Sequence, residues 1–506
     1  MKTIPGRTDK VTVVGAGLSG LSAALHLVGR GREVTVIERN PSPGGRVALV
    51  ELDGHRFDTG PSVLTMPGVV RDTFAAAGAE MDDYLTLSRL DPAYTARFAD
   101  GTRLAVHTDP DVMAEAVREF AGPAEAAGYL RLRGWLVRLY RAEFDRFIAS
   151  NIDSPLSLAS RDLARLVALG GFRRLEPRIS SFLQDERLRR VFTFQALYAG
   201  TSPMKALALY AVISSMDTVG GVFFPRGGIA ELPRALASAA ETAGVKFRYG
   251  DGAATLERNG DRVSGVITES GARIGCDAVL LTGELPESRR LLGRTPRRPI
   301  SLSAAPSALV VHVGAGGDWP DVGHHTISFG EAWAGTFREL IDDGRLMTDP
   351  SLLITRPTVT DPTLAPPGTN LLSILAPVPN LERGPIDWSR RTEPYAEAVL
   401  DEVRKRLLPD LDPHTRHVIG PAEWAAQGMV AGTPFSYAHS FVQTGPFRPR
   451  NLPRGTENAV LAGGGTVPGV GVPTVLLSGR LAADRITGAH RVPGHSTIDL
   501  AEGNLP

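Results

Sequence analysis

The chain opens with an apolar run that stops at spaced glycines. In "KVTVVGAG" β-branched residues lead directly into Gly15, Gly17 and Gly20, and "LSGLSAALHLVGRGR" then sets Leu18, Leu21, Leu25 and Val28 at helical spacing. The pattern predicts a strand, a tight turn and a helix, with a second strand in "EVTVIE". Near the other end, "NAVLAGGGTVPGVGVPTVLLSGRLAADRI", residues 458 to 486, repeats the order of strand, glycine-rich turn and apolar helix. Between them, "GGIAELPRALASAAETAGVKFRYGDGAATLERNGDRVSGVITESGARIGCDAVLLTG" reads as a helix, a strand, a hairpin turning at "NGD" and a closing strand. These separated pieces predict one α/β domain assembled from about 1–80, 222–290 and 420–506. A second, α+β domain is expected from 81–221, mostly helical, and 291–419, richer in strands. Proline-rich "VTDPTLAPPGTN" reads as a loop between strands, and the tail after about residue 488 as loosely held.

The first glycine turn has the logic of a dinucleotide site. Gly15 permits the turn, Gly17 lets backbone approach a pyrophosphate, and Gly20 lets helix and strand pack closely; Leu18 and Ser19 open the helix with free N–H groups facing the anion. Glu38, 18 residues past Gly20, ends the second strand where a carboxylate accepts ribose hydroxyls, with Arg39 beside it. Five residues then separate Glu38 from Gly44, Gly45 and Arg46. This second bare-backbone turn with a cation resembles FAD proteins of the glutathione-reductase and amine-oxidase type, so FAD is the expected cofactor in a Rossmann-like domain. The turn "TGPS", with Gly60, Pro61 and Ser62, offers hydroxyls and backbone donors to the flavin ring. The late turn at Gly464 and Gly465, and the helix entered through Gly471, Val472 and Pro473, can stabilise negative charge on a reduced flavin. At each of these turns the competing reading is a structural glycine loop.

Composition narrows the field. Of 506 residues, 55 are basic and 55 acidic, a formal net charge of zero that gives no footprint for nucleic acid. Cys276 is the single cysteine and reads as a buried structural thiol, so redox chemistry requires a cofactor. No second nicotinamide fingerprint is visible. The first residues lack an apolar signal segment and no stretch suits a spanning helix, which predicts a cytoplasmic protein without a transmembrane anchor. Residues 161–190 carry eight Arg against four acidic residues, interleaved with Leu, Val and Phe; they form either an interfacial patch or a solvated basic face. No metal is expected: adjacent His324 and His325 should point to opposite faces of an extended chain. Asp217, Glu231 and His439 are eligible as a base by type alone, and no catalytic residue is assigned; Arg226 either contacts a cofactor or caps a turn.

More particular motifs extend along nearly the whole chain: "FDTGPSVLTMP", "YAGTSPMKALALYAVI", "GGVFFPRGGIAEL", "HHTISFG", "VTDPTLAPPGTNLLSILAPVPNL", "SFVQTGPFRPRN" and "GGGTVPGVGVPTVLLSGR". With them the chain resembles the bacterial-type carotenoid (phytoene) desaturases. The resemblance implies an FAD enzyme that dehydrogenates CH2–CH2 units of a linear C40, sometimes C30, hydrocarbon by hydride transfer to flavin N5. It also implies a tunnel of apolar residues, peripheral membrane attachment, reoxidation by oxygen or a quinone, and an adenine contact at Ala253. Residues 191–216 and 220–225 are the expected tunnel material. Val467 stands where the family commonly has His, and Val470 and Thr474 replace smaller residues. A carotenoid isomerase or oxygenase relative, an amine oxidase, and a flavin-bearing lipid-surface module without turnover remain as alternatives on the same architecture.

Overall fold

The computed structural model describes residues 1–154, 158–293 and 301–489; the tail expectation falls, from residue 490 onward, outside the described residues. A five-stranded parallel sheet runs in the order Ala459–Leu461, Ala278–Leu281, Lys10–Val14, Glu33–Ile37, Lys246–Arg248. Its central strand, "KVTVV", buries Val11, Thr12 and Val13, as the continuous β-branched run of a parallel strand covered on both faces requires. Helices Leu18–Val28 and Val472–Thr487 lie side by side on this sheet. A Cβ on Gly479 would come within 2.2 Å of the Ser19 carbonyl, and the Ser22 hydroxyl donates to Leu476 O at 2.7 Å. The two ends of the chain are thereby clasped into one layer beside the glycine turns.

The predicted hairpin is present as Ala253–Asn259 and Arg262–Thr268, with Gly260 at φ +64° in the turn. A second, seven-stranded sheet runs in the order Pro413–Ile419, Ser307–Ala315, Asn370–Val378, Leu352–Thr355, His325–Ser328, Tyr94–Arg97, Arg103–Val106. The proline-rich loop joins Leu352–Thr355 to Asn370–Val378 through two short 3-10 turns, Pro357–Val359 and Pro362–Leu364.

The stretch read as mostly helical also supplies the strands Tyr94–Arg97 and Arg103–Val106 to this sheet. Its long helices, Pro110–Ala121 and Pro123–Glu143, begin with proline at the first position, and Asp109 caps the former by accepting from the Asp111 and Val112 N–H groups. Cys276 is half-buried rather than fully buried, and desolvation pushes its thiol up to about 11, which keeps it protonated and inert.

Candidate active site

The first glycine turn is built as its sequence requires. Gly15 sits at φ +107°, and a Cβ there would meet the Thr282 hydroxyl at 2.4 Å, so the turn tolerates no side chain. A Cβ on Gly20 would meet the Gly15 carbonyl oxygen at 2.0 Å, which explains the close approach of helix and strand. Gly17 differs: the nearest atoms to its Cβ position are Gly45 Cα at 3.9 Å and Gly44 O at 4.0 Å. The room beside Gly17 is not taken by protein, as a cradle for an approaching phosphate needs. The second turn is zipped onto the first, with Gly44 N–H donating to Ala16 O at 3.0 Å and Gly45 at φ +61° facing Gly17.

Charged groups converge on this cradle. Glu38 is buried, one carboxylate oxygen accepting from Ala16 N–H at 2.7 Å and the other from Asn40 N–H at 2.9 Å. Arg46 forms an ion pair with Glu284 and donates to Pro434 O, and burial pushes its guanidinium down to about 10. Arg39 is exposed, 3.8 Å from Glu287. Gly60 lies against the Arg46 carbonyl, within 2.1 Å of a Cβ position, which fixes the "TGPS" turn over the second glycine turn.

All the anticipated cofactor positions line one continuous cavity of about 1680 Å³ except Gly20: Gly15, Gly17, Leu18, Ser19, Glu38, Arg39, Gly44, Gly45, Arg46, Gly60, Pro61, Ser62, Ala253, Gly464, Gly465, Gly471, Val472 and Pro473. Gly20 acts from behind, through packing. The volume exceeds the roughly 300–1,000 Å³ of a single small-molecule site, so the cavity has space for a dinucleotide and a further long ligand. The open Cβ space at Gly17, a helix N-terminus and a carboxylate at the strand end fit FAD in chemistry and in room.

A buried arginine that sequence reasoning did not single out organises the late turn. Arg448 donates to Thr466 O at 2.8 Å and to the carbonyls of Gly464 and Tyr437, and so holds the glycine turn in place at the entrance to helix Val472–Thr487. Its only signal was its place in "SFVQTGPFRPRN", since a buried cation leaves no local periodicity.

Away from the glycine cradle the cavity becomes apolar, walled by Phe194, Leu197, Val212, Ile213, Ile327, Phe329 and Leu353 among others. Thus residues from 191–216 do line it, whereas Phe223 and Phe224 of the 220–225 segment do not. Of the three groups eligible as a base, Asp217 and His439 line the cavity. Burial drives the His439 imidazole well below its ordinary value, leaving it neutral beside Thr444. Glu231 is elsewhere, at the start of helix Glu231–Thr242 and ion-paired to Arg56 at 3.1 Å and Arg234 at 2.8 Å. Asp217 is buried with Tyr94 and Gln195, and desolvation raises its carboxyl to about 7. Besides Glu38 and Asp217, the buried carboxylate of Glu143 also lines the cavity and is pushed well above the ordinary range; it ends a helix and had no distinguishing sequence signal.

One expectation changes, and one open alternative narrows. His324 and His325 do not diverge: their rings lie 4.6 Å apart, because His324 sits in the turn before the strand starts at His325, where alternation does not apply. Each ring bonds a threonine, His324 to Thr360 at 2.7 Å and His325 to Thr355 at 3.1 Å, and burial keeps both neutral. Among the described residues no group of three or more His, Cys, Asp or Glu is gathered as metal ligands. Arg226 is exposed and outside the cavity; its turn is held by Asp361, which accepts from Gly227 N–H at 2.8 Å.

The chain matches the model of the flavin containing amine oxidoreductase family over residues 18–487. It is 61% identical to a phytoene dehydrogenase of Streptomyces griseus over 96% of this chain and 97% of that protein. To a zeta-carotene-forming phytoene desaturase of Myxococcus xanthus it is 34% identical, over 95% and 94% of the two chains. Among solved structures, an oxidoreductase from Methanosarcina mazei superposes with a TM-score of 0.61 at 18% identity, covering 93% of this chain and 99% of that one.

Proposed function

The chain belongs to the flavin containing amine oxidoreductase family and is an FAD-dependent carotenoid desaturase, and we propose that it works on a linear C40 polyene while docked peripherally on a membrane surface. The observation that carries this reading is one continuous cavity that joins the glycine-walled cradle to an apolar arm. When bound, FAD supplies a hydride acceptor at N5. Everything else falls to the protein: holding the pyrophosphate at Gly15, Gly17 and the helix start, the ribose at Glu38, the adenine beside Ala253, and the flavin between the "TGPS" turn and the turn held by Arg448. We assign the cofactor to a discontinuous domain of 1–80, 222–290 and 420–506, and the substrate to 81–221 with 291–419.

A hydrocarbon has no polar handle, so binding rests on buried apolar area, worth about 25 cal/mol per Å². The apolar arm walled by Phe194, Ile213, Phe329 and Leu353 supplies that area and excludes water from the carbons that react. Placement of the CH2–CH2 unit is the main task left to the side chains.

Three exposed phenylalanines, Phe172, Phe441 and Phe447, lie on the cavity wall where it opens outward. They favour entry from a lipid surface more than do the arginines of residues 161–190, the segment that also holds Phe172. There Arg187 pairs with Asp185, Arg189 with Glu176 and Arg190 with Glu186, while Arg178 stacks over Trp135 and Phe182. Among the described residues no helix is long and apolar enough to cross a membrane. Oxygen or a quinone is the acceptor that closes the cycle.

The test is incubation of FAD-loaded protein with phytoene in liposomes and a soluble quinone, followed by product spectra. Longer-wavelength polyene bands, whose positions count the added double bonds, are the expected result. Altered isomer composition without longer conjugation would transfer the assignment to a carotenoid isomerase, and an unchanged substrate would remove it.

A further inference from the structure

The mechanism leaves one proton without a destination. Removing two hydrogens from a CH2–CH2 unit breaks one C–H bond with its electron pair, which leaves as hydride to the flavin. It breaks the neighbouring C–H bond heterolytically, its electron pair becoming the new π bond and its proton going to a base. Building on the desaturase reading above, we propose that the Oδ1 atom of Asp217 receives this proton.

Geometry singles out Asp217 among the acidic groups of the cavity. It is 2% exposed, lines the cavity, and presents Oδ1 without a hydrogen-bond partner. The other oxygen, Oδ2, is fixed by two donors, the Tyr94 hydroxyl at 3.2 Å and the Gln195 amide at 3.3 Å. Two donors on one oxygen lock the carboxylate plane and leave the second oxygen as the acceptor. Asp217 also belongs to a helix, Ala211–Thr218, whose continuation pairs with the segment leading from the "TGPS" turn: Phe223 N–H donates to Leu64 O at 2.8 Å. The chain that carries Asp217 thus runs within six residues into a strand pairing beside the "TGPS" turn.

Titration agrees with this placement. Burial raises Asp217 to about 7, while its two donors pull it down, so the ionised form is present at neutral pH in an apolar surrounding that favours proton uptake. The groups facing it are the phenols of Tyr94 and Tyr198, both pushed up by burial and by this carboxylate, the Gln195 amide, and the N–H groups of its own turn; the His325 ring lies beyond Tyr94 at 5.8 Å. No cation among these groups neutralises it. Glu143, another buried carboxylate of the cavity, has one oxygen unpartnered, and burial favours its neutral acid, which cannot take a proton.

The test is anaerobic single turnover of FAD-loaded protein with phytoene liposomes, following flavin bleaching from pH 5.5 to 8.5. In the wild type the rate should rise with pH and level off above about 7. Asp217→Asn should slow bleaching about 100-fold and abolish the rising limb, general-base contributions being about 10²–10⁴-fold. Asp217→Glu should restore the limb, and Tyr94→Phe, which removes one donor from Oδ2, should move it to higher pH. FAD affinity, read by flavin fluorescence quenching, should be unchanged in all three. Wild-type bleaching rate and pH profile in Asp217→Asn would overturn the proposal, as would loss of the limb in Glu143→Gln instead. Should Asp217→Asn not fold, an unshifted limb in Tyr94→Phe overturns it. Absence of bleaching in the wild type strikes the desaturase reading itself, and this assignment with it.

Discussion

Replacing Gly17 or Gly20 with alanine adds the same methyl group to the same turn, yet the two variants should fail in opposite ways. At Gly20 the methyl would lie 2.0 Å from the Gly15 carbonyl oxygen and 3.1 Å from its carbon, both backbone atoms of a turn already fixed by Thr282. Helix and strand must separate, and overpacking of this kind costs about 1–3 kcal/mol of stability in the apoprotein. At Gly17 the methyl meets nothing nearer than 3.9 Å, so the apoprotein should lose no more than about 1 kcal/mol, the cost of alanine at a helix N-cap. The methyl does occupy the space assigned to the pyrophosphate. Displacing the phosphate from one backbone donor removes a hydrogen bond to a charged group, worth about 1.5–3 kcal/mol, or about 10- to 150-fold in Kd. The assay pairs thermal unfolding of the apoproteins with FAD titration by fluorescence quenching. Gly20→Ala should show the lower apoprotein Tm and Gly17→Ala the greater loss of FAD affinity per degree of Tm lost. Wild-type FAD affinity in Gly17→Ala would refute the assignment of that space to the cofactor.

Three further outcomes follow from particular contacts. Arg448→Met strips the carbonyls of Gly464, Thr466 and Tyr437 of a buried donor at about 1–3 kcal/mol for each group left unsatisfied, so both apoprotein Tm and FAD affinity should fall. Asp217 has a folded-state pKa of about 7 against an ordinary 3.8, so the fold favours its protonated form; that stabilisation is complete below about pH 4 and is lost as pH rises to about 7. Asp217→Asn does not titrate, so its Tm relative to wild type should climb between pH 4 and 7 and then level off, with a ceiling of roughly 4 kcal/mol at 1.36 kcal/mol per pKa unit; a flat difference across that range would contradict the burial of a charge there. Converting Phe441 and Phe447 together to Glu should reduce retention on liposomes by about 10-fold or more, each buried aromatic being worth about 1.5–3 kcal/mol, while FAD titration stays unchanged; undiminished retention would place the docking surface elsewhere.

What the sequence revealed was local. The strand, glycine turn and helix at residues 10–28, their counterpart at 459–487, and the hairpin around Gly260 each lie within one short window, where periodicity and φ preference speak directly. The apolar arm was less legible, because Phe194, Phe329 and Leu353 come from three distant segments and each looks like ordinary core in its own window. The strands Tyr94–Arg97 and Arg103–Val106 escaped notice inside a helical stretch although the turn between them holds Asp100 and Gly101, the latter at φ +84°; four-residue strands are too short to outweigh their surroundings. Arg448 and Glu143 are buried ionisable groups whose surroundings exist only after folding. The histidine pair shows the complementary error, in which strand alternation is extended one residue ahead of the strand's start.

The most direct test of the central claim is stoichiometry. FAD-loaded protein mixed anaerobically with excess phytoene in liposomes, with no other acceptor present, should reduce its flavin once and form one new double bond per flavin bleached, with no further product until oxygen or quinone is admitted. Product formed without bleaching, or bleaching by an amine but by none of phytoene, its C30 counterpart and partly desaturated carotenes, would contradict it.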